Sequence, residues 1–174
     1  NTEGGIVLDN GENIASDYTV FALGGGSWKV TGSDGSWTKK FKQKGIKTND
    51  FIASNCAFQI KWPQEFLQKN KGLPLKNIAI SMGEQTQKGE AVITETGLEG
   101  NAIYALSAKI QNSLKVDGKA RILVDFKPNN SSAELLAKMT NTSKAPTRIL
   151  KEKVKLSSLA LGLIKMGLSK EEFM

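Results

Sequence analysis

Histidine is absent from this chain of 174 residues, and cysteine occurs once, at Cys56. Without an imidazole base, Ser-His-Asp and Cys-His nucleophile systems are excluded. A single thiol with no histidine also excludes an ordinary Cys/His zinc site and a disulfide within the chain. Any chemistry must therefore come from carboxylates, lysines, the backbone or a cofactor. Such low cysteine usage predicts a cytoplasmic protein.

Arginine is almost as scarce, since only Arg121 and Arg148 occur among 24 Lys and Arg residues. The formal net charge is nevertheless +7. Proteins that read nucleic-acid sequence favour the bidentate guanidinium of arginine, whereas the lysines here are spread along the chain. A solvated basic surface is the simpler interpretation. A lysine-rich nucleic-acid-binding module stays open as the alternative function.

The sequence also lacks a long apolar run and a secretory leader. The longest apolar stretch, residues 156–168, is interrupted by serines, glycines and a lysine, so it is too short and too polar to span a bilayer. The first residues contain neither a basic nor an apolar leader region. They also lack an initiator methionine, from which we expect a processed product or part of a longer polypeptide.

Glycine, by contrast, is concentrated in FALGGGSWKVTGSDG, residues 21–35. Strands are predicted at residues 5–8 and 14–23, joined by a tight turn at Asp9-Asn10-Gly11, and the second strand reads as buried on both faces. A helix is predicted from about residue 35 to 44, ended by Gly45. This strand–glycine turn–helix order is typical of nucleotide-binding α/β domains. The run matches no P-loop, dinucleotide fingerprint or nucleophile elbow, so ligand contact and a plain tight turn both stay open.

Beyond residue 46 the pattern predicts short strands and then helices. Strands are expected at residues 56–61, 78–82, 91–95 and 120–126, with residues 83–89 as a link and a helix over 101–114. After Pro128, capping boxes begin at Ser131 and Ser169, and a further helix covers residues 156–166. Residues 142–146 read as a joint between helices. The predicted fold class is α+β.

Two motifs in this order resemble a bacterial flavoprotein family labelled NAD(FAD)-utilising dehydrogenase, which is aminoacetone oxidase-like and belongs to the glutathione reductase-like superfamily. The first, A-x-G-G-x-S-x-x-x-x-G-S-x-G, is matched by Ala22, Gly24, Gly25, Ser27, Gly32, Ser33 and Gly35. The second, G-E-x-x-x-T-x-x-G-[IL]-x-G-x-[AI], is matched by Gly89, Glu90, Thr94, Gly97, Leu98, Gly100 and Ala102. The resemblance extends from about residue 18 to 168.

The resemblance implies an interior fragment of a FAD-dependent oxidoreductase. Residues 1–56 would be a remnant of the FAD-binding domain, residues 57–140 a mostly-β insert that shapes the substrate side of the flavin, and residues 141–174 a helical segment. The family's amino-terminal G-x-G-x-x-G unit and carboxyl-terminal glycine-rich segment are not among these residues. The cofactor contacts implied by the family arrangement are the backbones of Gly24, Gly25, Gly26, Ser27 and Gly32.

Partners and function follow from the same resemblance. The expected partners are the FAD-binding remainder of the polypeptide and an unidentified small-molecule substrate, with no membrane, no metal and no catalytic side chain in this chain. We expect the chain alone to fold but to be inactive and not to retain FAD. Residues 4–45 should be its loosest part, or should pair with a second copy through exposed strand edges.

Several other residues allow a structural and a functional interpretation. Trp28 and Trp37 fit flavin contact or ordinary packing, and Cys56 fits a buried structural thiol or a redox thiol. Glu90 and Glu95 belong to the second motif but also suit a hairpin surface. Gly97 and Gly100 are expected to shape the turn that precedes a helix at Asn101.

Overall fold

A computed structural model describes residues 5–140 and 143–173. Helices and antiparallel sheets are both present, so the predicted α+β class is confirmed. None of the described helices is long and apolar enough to cross a membrane. The strands are β1 (Gly5–Val7), β2 (Asn13–Ala15), β3 (Phe58–Gln59), β4 (Pro74–Met82), β5 (Gln85–Ile93), β6 (Gly97–Glu99) and β7 (Leu123–Asp125). The helices are α1 (Trp37–Gln43), α2 (Gln64–Asn70), α3 (Asn101–Tyr104), α4 (Ser107–Asp117), α5 (Ser132–Met139), α6 (Pro146–Glu152), α7 (Ser158–Gly167) and α8 (Lys170–Phe173).

The chain divides into two compact units, residues 1–53 and residues 54–174. The second, unit 2, is built on a five-stranded antiparallel sheet in the order β3-β6-β5-β4-β7. Strands β4 and β5 form a hairpin whose two-residue turn contains Gly83 at φ +58°, a conformation that glycine adopts without steric cost. A bulge between Leu75 and Ile78 shifts the register of β4 against β5.

Unit 2 has a continuous apolar core between the sheet and its helices. Ile78 and Ile80 of β4 and Ile93 of β5 are almost fully buried, and they share one cluster with side chains of α3, α4 and α7. Each such burial is worth about 1.5–3 kcal/mol before entropy costs, which is enough to stabilise a domain of this size. The buried members of the core include Ile78, Ile80, Ile93, Ile103, Leu106 and Leu159.

The first unit, unit 1, contains the β1–β2 hairpin, a glycine-rich loop and helix α1. The strand predicted for residues 14–23 is wrong beyond residue 15, because β2 ends at Ala15. Its apolar side chains are not buried on both faces either: Tyr18 is 91% and Val20 88% exposed. Apolar and β-branched composition predicted a strand, but no described strand pairs with this segment. The helix ended by Gly45, which has φ +74°, is confirmed.

Two element predictions in unit 2 require correction, and two of its helices were not predicted. Most of the link expected at residues 83–89 belongs to β5, because Gln85 to Gly89 pair with β4. The helix expected over residues 101–114 is two helices, separated at Ala105 and Leu106. Helices α2 and α6 were not predicted from the sequence. Both predicted capping boxes are confirmed: Ser131 and Glu134, and likewise Ser169 and Glu172, exchange side-chain and backbone hydrogen bonds.

The boundary between the two units falls between Ala53 and Ser54. The three-part division at residues 56/57 and 140/141, and the role given to each part, stay predictions. The start of the joint predicted at residues 142–146 lies outside the described residues, as do residues 1–4.

Candidate functional site

The glycine-rich loop of unit 1 is closed by two side chains that follow it. The Ser33 hydroxyl donates a hydrogen bond to the carbonyl of Gly25 at 2.6 Å, and the indole N–H of Trp37 donates to the carbonyl of Gly24 at 3.1 Å. Ser33 also accepts from the amide of Gly35. These bonds bring the predicted cofactor-contact residues into one loop, with Gly32 beside the Ser33 that closes it.

Two positions in this loop require glycine. Gly24 has φ +76°, and a Cβ built there would lie 2.8 Å from the Cβ of Ser33. Gly35 has φ +72°, and its Cβ would lie 2.6 Å from the Phe51 ring. Any larger residue would be strained by its conformation and would collide as well. At Gly25, by contrast, a Cβ would meet nothing within 4 Å.

Aromatic rings support the loop. The Trp37 ring packs edge-on against Phe41 and Phe51, with centroids 5.2 and 6.0 Å apart, and Phe21 packs edge-on against Phe41. Edge-to-face pairs at these distances are favourable because a positive ring edge meets a negative ring face. Trp37 is therefore a packing residue of this loop, whereas Trp28 is largely exposed.

The loop leaves backbone donors open. Within the described part of the chain, the amides of Gly24, Gly25, Gly26 and Ser27 donate no hydrogen bond to protein. A shallow cavity of about 330 Å³ adjoins the loop and is lined by Gly32, Lys29 and Asp34, among others. The Ser36 side chain and amide hold the pKa of Asp34 below its usual value, and Lys29 lies 3.9 Å from that carboxylate. The ammonium and carboxylate balance, so this cavity has no strong positive field.

The second motif forms the β5–β6 corner in unit 2. Gly100 has φ +119° at the start of α3, and a Cβ there would lie 2.7 Å from the carbonyl oxygen of Glu90. The Asn101 side chain accepts from the amide of Glu90, and the Thr94 hydroxyl accepts from the amide of Gly97. A Cβ on Gly97 would collide with the Phe58 backbone. The expectation that Gly97 and Gly100 shape this turn is confirmed, and packing accounts for the motif.

The other residues singled out from the sequence belong neither to the glycine-rich loop nor to the β5–β6 corner packing. Glu95 pairs with Lys71 on the surface, and this hydrogen bond lowers the pKa of the Glu95 carboxyl. Cys56 is half-buried. Within the described ranges, no group of three or more His, Cys, Asp or Glu side chains could hold a metal ion.

A second cavity lies in unit 2, and the sequence alone did not predict it. Lysines far apart in the sequence line it, together with two non-glycine residues in left-handed conformation, Asn77 and Lys155. Scattered lysines give no local signal, because only the fold of the sheet and α7 places them together.

Comparison with known proteins identifies the class to which this fold belongs. The model of the HI0933-like protein barrel and H2TH domain matches residues 52–166. The chain therefore belongs to the HI0933-like family, and the flavoprotein dehydrogenase resemblance is confirmed at that level.

A curated relative is the 3-dehydro-bile acid delta(4,6)-reductase of Clostridium scindens. It is 24% identical over 137 residues, which cover 76% of this chain and 33% of the relative. The chain thus spans about one third of the length of the curated relative it matches.

Proposed function

We propose that this chain is an interior part of a FAD-dependent oxidoreductase and is not active alone. The observation that carries the proposal is membership of the HI0933-like family over residues 52–166, preceded in the chain by a closed glycine-rich loop with open amides. A relative that is named as a reductase supports redox chemistry on a small organic molecule.

The loop residues fit a cofactor contact of a particular kind. Gly24, Gly25, Gly26 and Ser27 present open N–H donors, and the empty space beside Gly25, where no atom lies within 4 Å of a built Cβ, allows close approach there. The nearby cavity carries a balanced Lys29–Asp34 pair, which gives no net attraction to a pyrophosphate. We therefore assign these amides and Gly32 to the uncharged part of FAD, and we assign the pyrophosphate to the remainder of the polypeptide.

FAD, when bound, would supply the redox chemistry. This chain would help to position the cofactor and to shape the substrate side of its binding site. In unit 1, the Ser33 and Trp37 hydrogen bonds hold the loop so that its amides are preorganised for the cofactor. In unit 2, a continuous buried core would hold the shape of the insert that we assign to the substrate side of the flavin. We expect that the substrate and the electron donor or acceptor bind only to the full-length protein.

Gly25→Val in the full-length protein tests the loop assignment. The new side chain enters open space and the backbone φ is not left-handed, so folding should be unaffected, while close approach of the cofactor is blocked. Losing one or two backbone hydrogen bonds at about 0.5–1.5 kcal/mol each should weaken FAD binding about tenfold. Gly167→Val, at another glycine with open space, is the matched control. Equal FAD affinity of both variants and the unaltered protein would remove this loop from the cofactor site.

A further inference from the structure

The cavity in unit 2 that the sequence did not reveal has the size of a small-molecule site. Its volume is about 610 Å³, and it adjoins a second cavity of about 300 Å³ that shares Lys76, Asn77, Ile78, Pro128 and Asn129 with it. Pockets for small ligands usually measure about 300–1,000 Å³. We call the two together the lysine cleft.

Positive charge dominates the lysine cleft. Lys76, Lys127 and Lys155 line the larger cavity, and Lys88 lines the smaller one, where Glu90 is the single carboxylate among the described lining residues. The larger cavity has no Asp or Glu in the described part of its lining. None of the ion pairs between described residues involves these four lysines, so no described carboxylate is paired with any of them.

Two of the lysines are held in place by neutral partners. The Lys127 ammonium donates to the carbonyl of Lys155 at 2.8 Å, and the Lys88 ammonium donates to the side-chain oxygen of Asn129 at 3.1 Å. A carbonyl partner orients an ammonium without cancelling its charge, and each ammonium keeps further protons to donate. Lys76 and Lys155 are exposed at the surface of the same cleft.

The backbone of the cleft is unusual in the same place. Asn77 and Lys155, with φ +53° and +59°, are the two non-glycine residues with positive φ in the described chain, and both line the larger cavity. Asn77 lies in the β4 bulge, and Lys155 comes shortly before α7. Left-handed conformations of ordinary residues concentrate at functional sites. The ten-residue helix α7 adds the partial positive charge of its amino-terminus beside the cavity.

The hydrogen-bond donors and the apolar side chains that line the lysine cleft indicate the class of ligand that it would bind. Several compact ammonium groups with asparagine amides, and no guanidinium fork, suit a multiply charged phosphate better than a planar carboxylate. Phe126 and Leu156 line the larger cavity as well and would contact an apolar body. We propose that the lysine cleft binds the phosphate of a small organic phosphomonoester. The proposal does not depend on the flavin, because every residue involved belongs to unit 2.

Calorimetric titration of the chain with phenyl phosphate, benzoate and inorganic phosphate tests this proposal. Phenyl phosphate should bind saturably with one site and at least fivefold more tightly than benzoate. Inorganic phosphate should compete for the same site with lower affinity, because it lacks the apolar body. Absence of saturable phenyl phosphate binding, or benzoate binding of equal strength, would overturn the proposal.

Three substitutions locate the site. Lys155→Gly removes a cleft charge while glycine accepts the left-handed backbone, and Lys76→Met removes a second cleft charge. Each should weaken phenyl phosphate binding about three- to tenfold. Lys115→Met, on the exposed face of α4 and outside the cavities, makes the same charge change and should alter affinity less than twofold. Equal effects of all three would show a diffuse charge effect and no cleft site.

A single-stranded oligonucleotide separates the proposal from a nucleic-acid surface. If the oligonucleotide binds with steep salt dependence, loses affinity in the Lys76 and Lys155 variants and is not displaced by phenyl phosphate, the cleft is a nucleic-acid surface and the proposal is wrong. Displacement of the oligonucleotide by phenyl phosphate, or no oligonucleotide binding, agrees with a small-molecule site.

Discussion

At the scale of single residues, glycine holds two different kinds of position in unit 2. Gly100 has φ +119° and ψ 170°, and a Cβ built there would lie 2.7 Å from the Glu90 carbonyl oxygen, whereas Gly118 has φ +68° and no atom within 4 Å of the place where a Cβ would lie. The first conformation is one that only glycine adopts readily, and the second costs other residues about 1–2 kcal/mol. The two positions therefore separate backbone strain from steric collision.

Alanine substitution at these two glycines tests the structural account of the β5–β6 corner. Gly100→Ala should lower the free energy of unfolding by about 3 kcal/mol or more, because strain and overpacking add. Gly118→Ala should cost about 1 kcal/mol. Urea unfolding monitored by circular dichroism measures both. Equal destabilisation by the two variants would contradict the close packing of Gly100 on Glu90.

Residue-level prediction from the sequence succeeded where the signal is local. Gly45, Gly97, Gly100 and the capping serines were assigned correctly because turns and caps depend on a few adjacent residues. The left-handed backbone of Lys155 was not predictable, because lysine has no intrinsic preference for it.

At the scale of elements, helix α6 carries the most strongly perturbed carboxylate of the described chain. Glu152 accepts hydrogen bonds from Lys144, which precedes the helix, and from Arg148 one turn earlier. These two partners lower the pKa of Glu152 from 4.5 to about 2. Glu152 thus connects the start of α6 to its end.

Carbon-detected NMR titration of the Glu152 carboxyl checks this arrangement. The native pKa lies below the unfolded value, so the pair stabilises α6 fully above pH 4.5, and this contribution is lost as the pH falls towards about 2. Arg148→Ala should raise the native pKa of Glu152, and Lys151→Ala, on the same helix without this bond, should leave it unchanged. A Glu152 pKa near 4.5 in the unaltered protein would show that the pairing does not form in solution.

Element prediction failed where tertiary pairing decides. Residues 17–23 have the composition of a buried strand, yet they are exposed and pair with none of the described strands. Residues 85–89 are polar and contain Gly89, but pairing with β4 makes them a strand. Helices α2 and α6 have only seven residues each, so their periodicity is too brief to detect.

At the scale of the whole molecule, the two units differ in what they bury. Unit 2 has a core of nearly fully buried aliphatic side chains, whereas in the described part of unit 1 Gly35 is the one residue in the buried class. Stability within a protein follows local apolar burial, so the units should open at different free energies. This contrast agrees with the expectation that residues 4–45 are the loosest part, which stays a prediction.

Hydrogen exchange measured by mass spectrometry on the purified chain tests the contrast. Peptides from residues 5–53 should exchange within seconds to minutes, since few of their amides are shielded by a core. Peptides from β4, β5 and α7 should stay protected about a hundredfold longer or more. If peptides of unit 1 were as well protected from exchange as those of unit 2, at protein concentrations where the chain is monomeric, the predicted difference in stability between the units would be wrong.

This chain belongs to the HI0933-like family, and we propose that it holds only part of a cofactor site. The open amides of Gly24 to Ser27 offer a few donors at about 0.5–1.5 kcal/mol each, which corresponds to no better than about millimolar affinity alone. Two sequence motifs predicted the family. The sequence did not show that the glycines of the second motif are required for the close packing of the β5–β6 corner.

The most direct measurement is the visible absorption spectrum of the full-length protein and of the 174-residue chain, each mixed with FAD and passed through gel filtration. The full-length protein should emerge with the spectrum of bound flavin at about one FAD per polypeptide, and the chain should emerge folded and colourless. A colourless full-length protein that takes up no FAD would contradict the account, and so would a chain that retains flavin by itself.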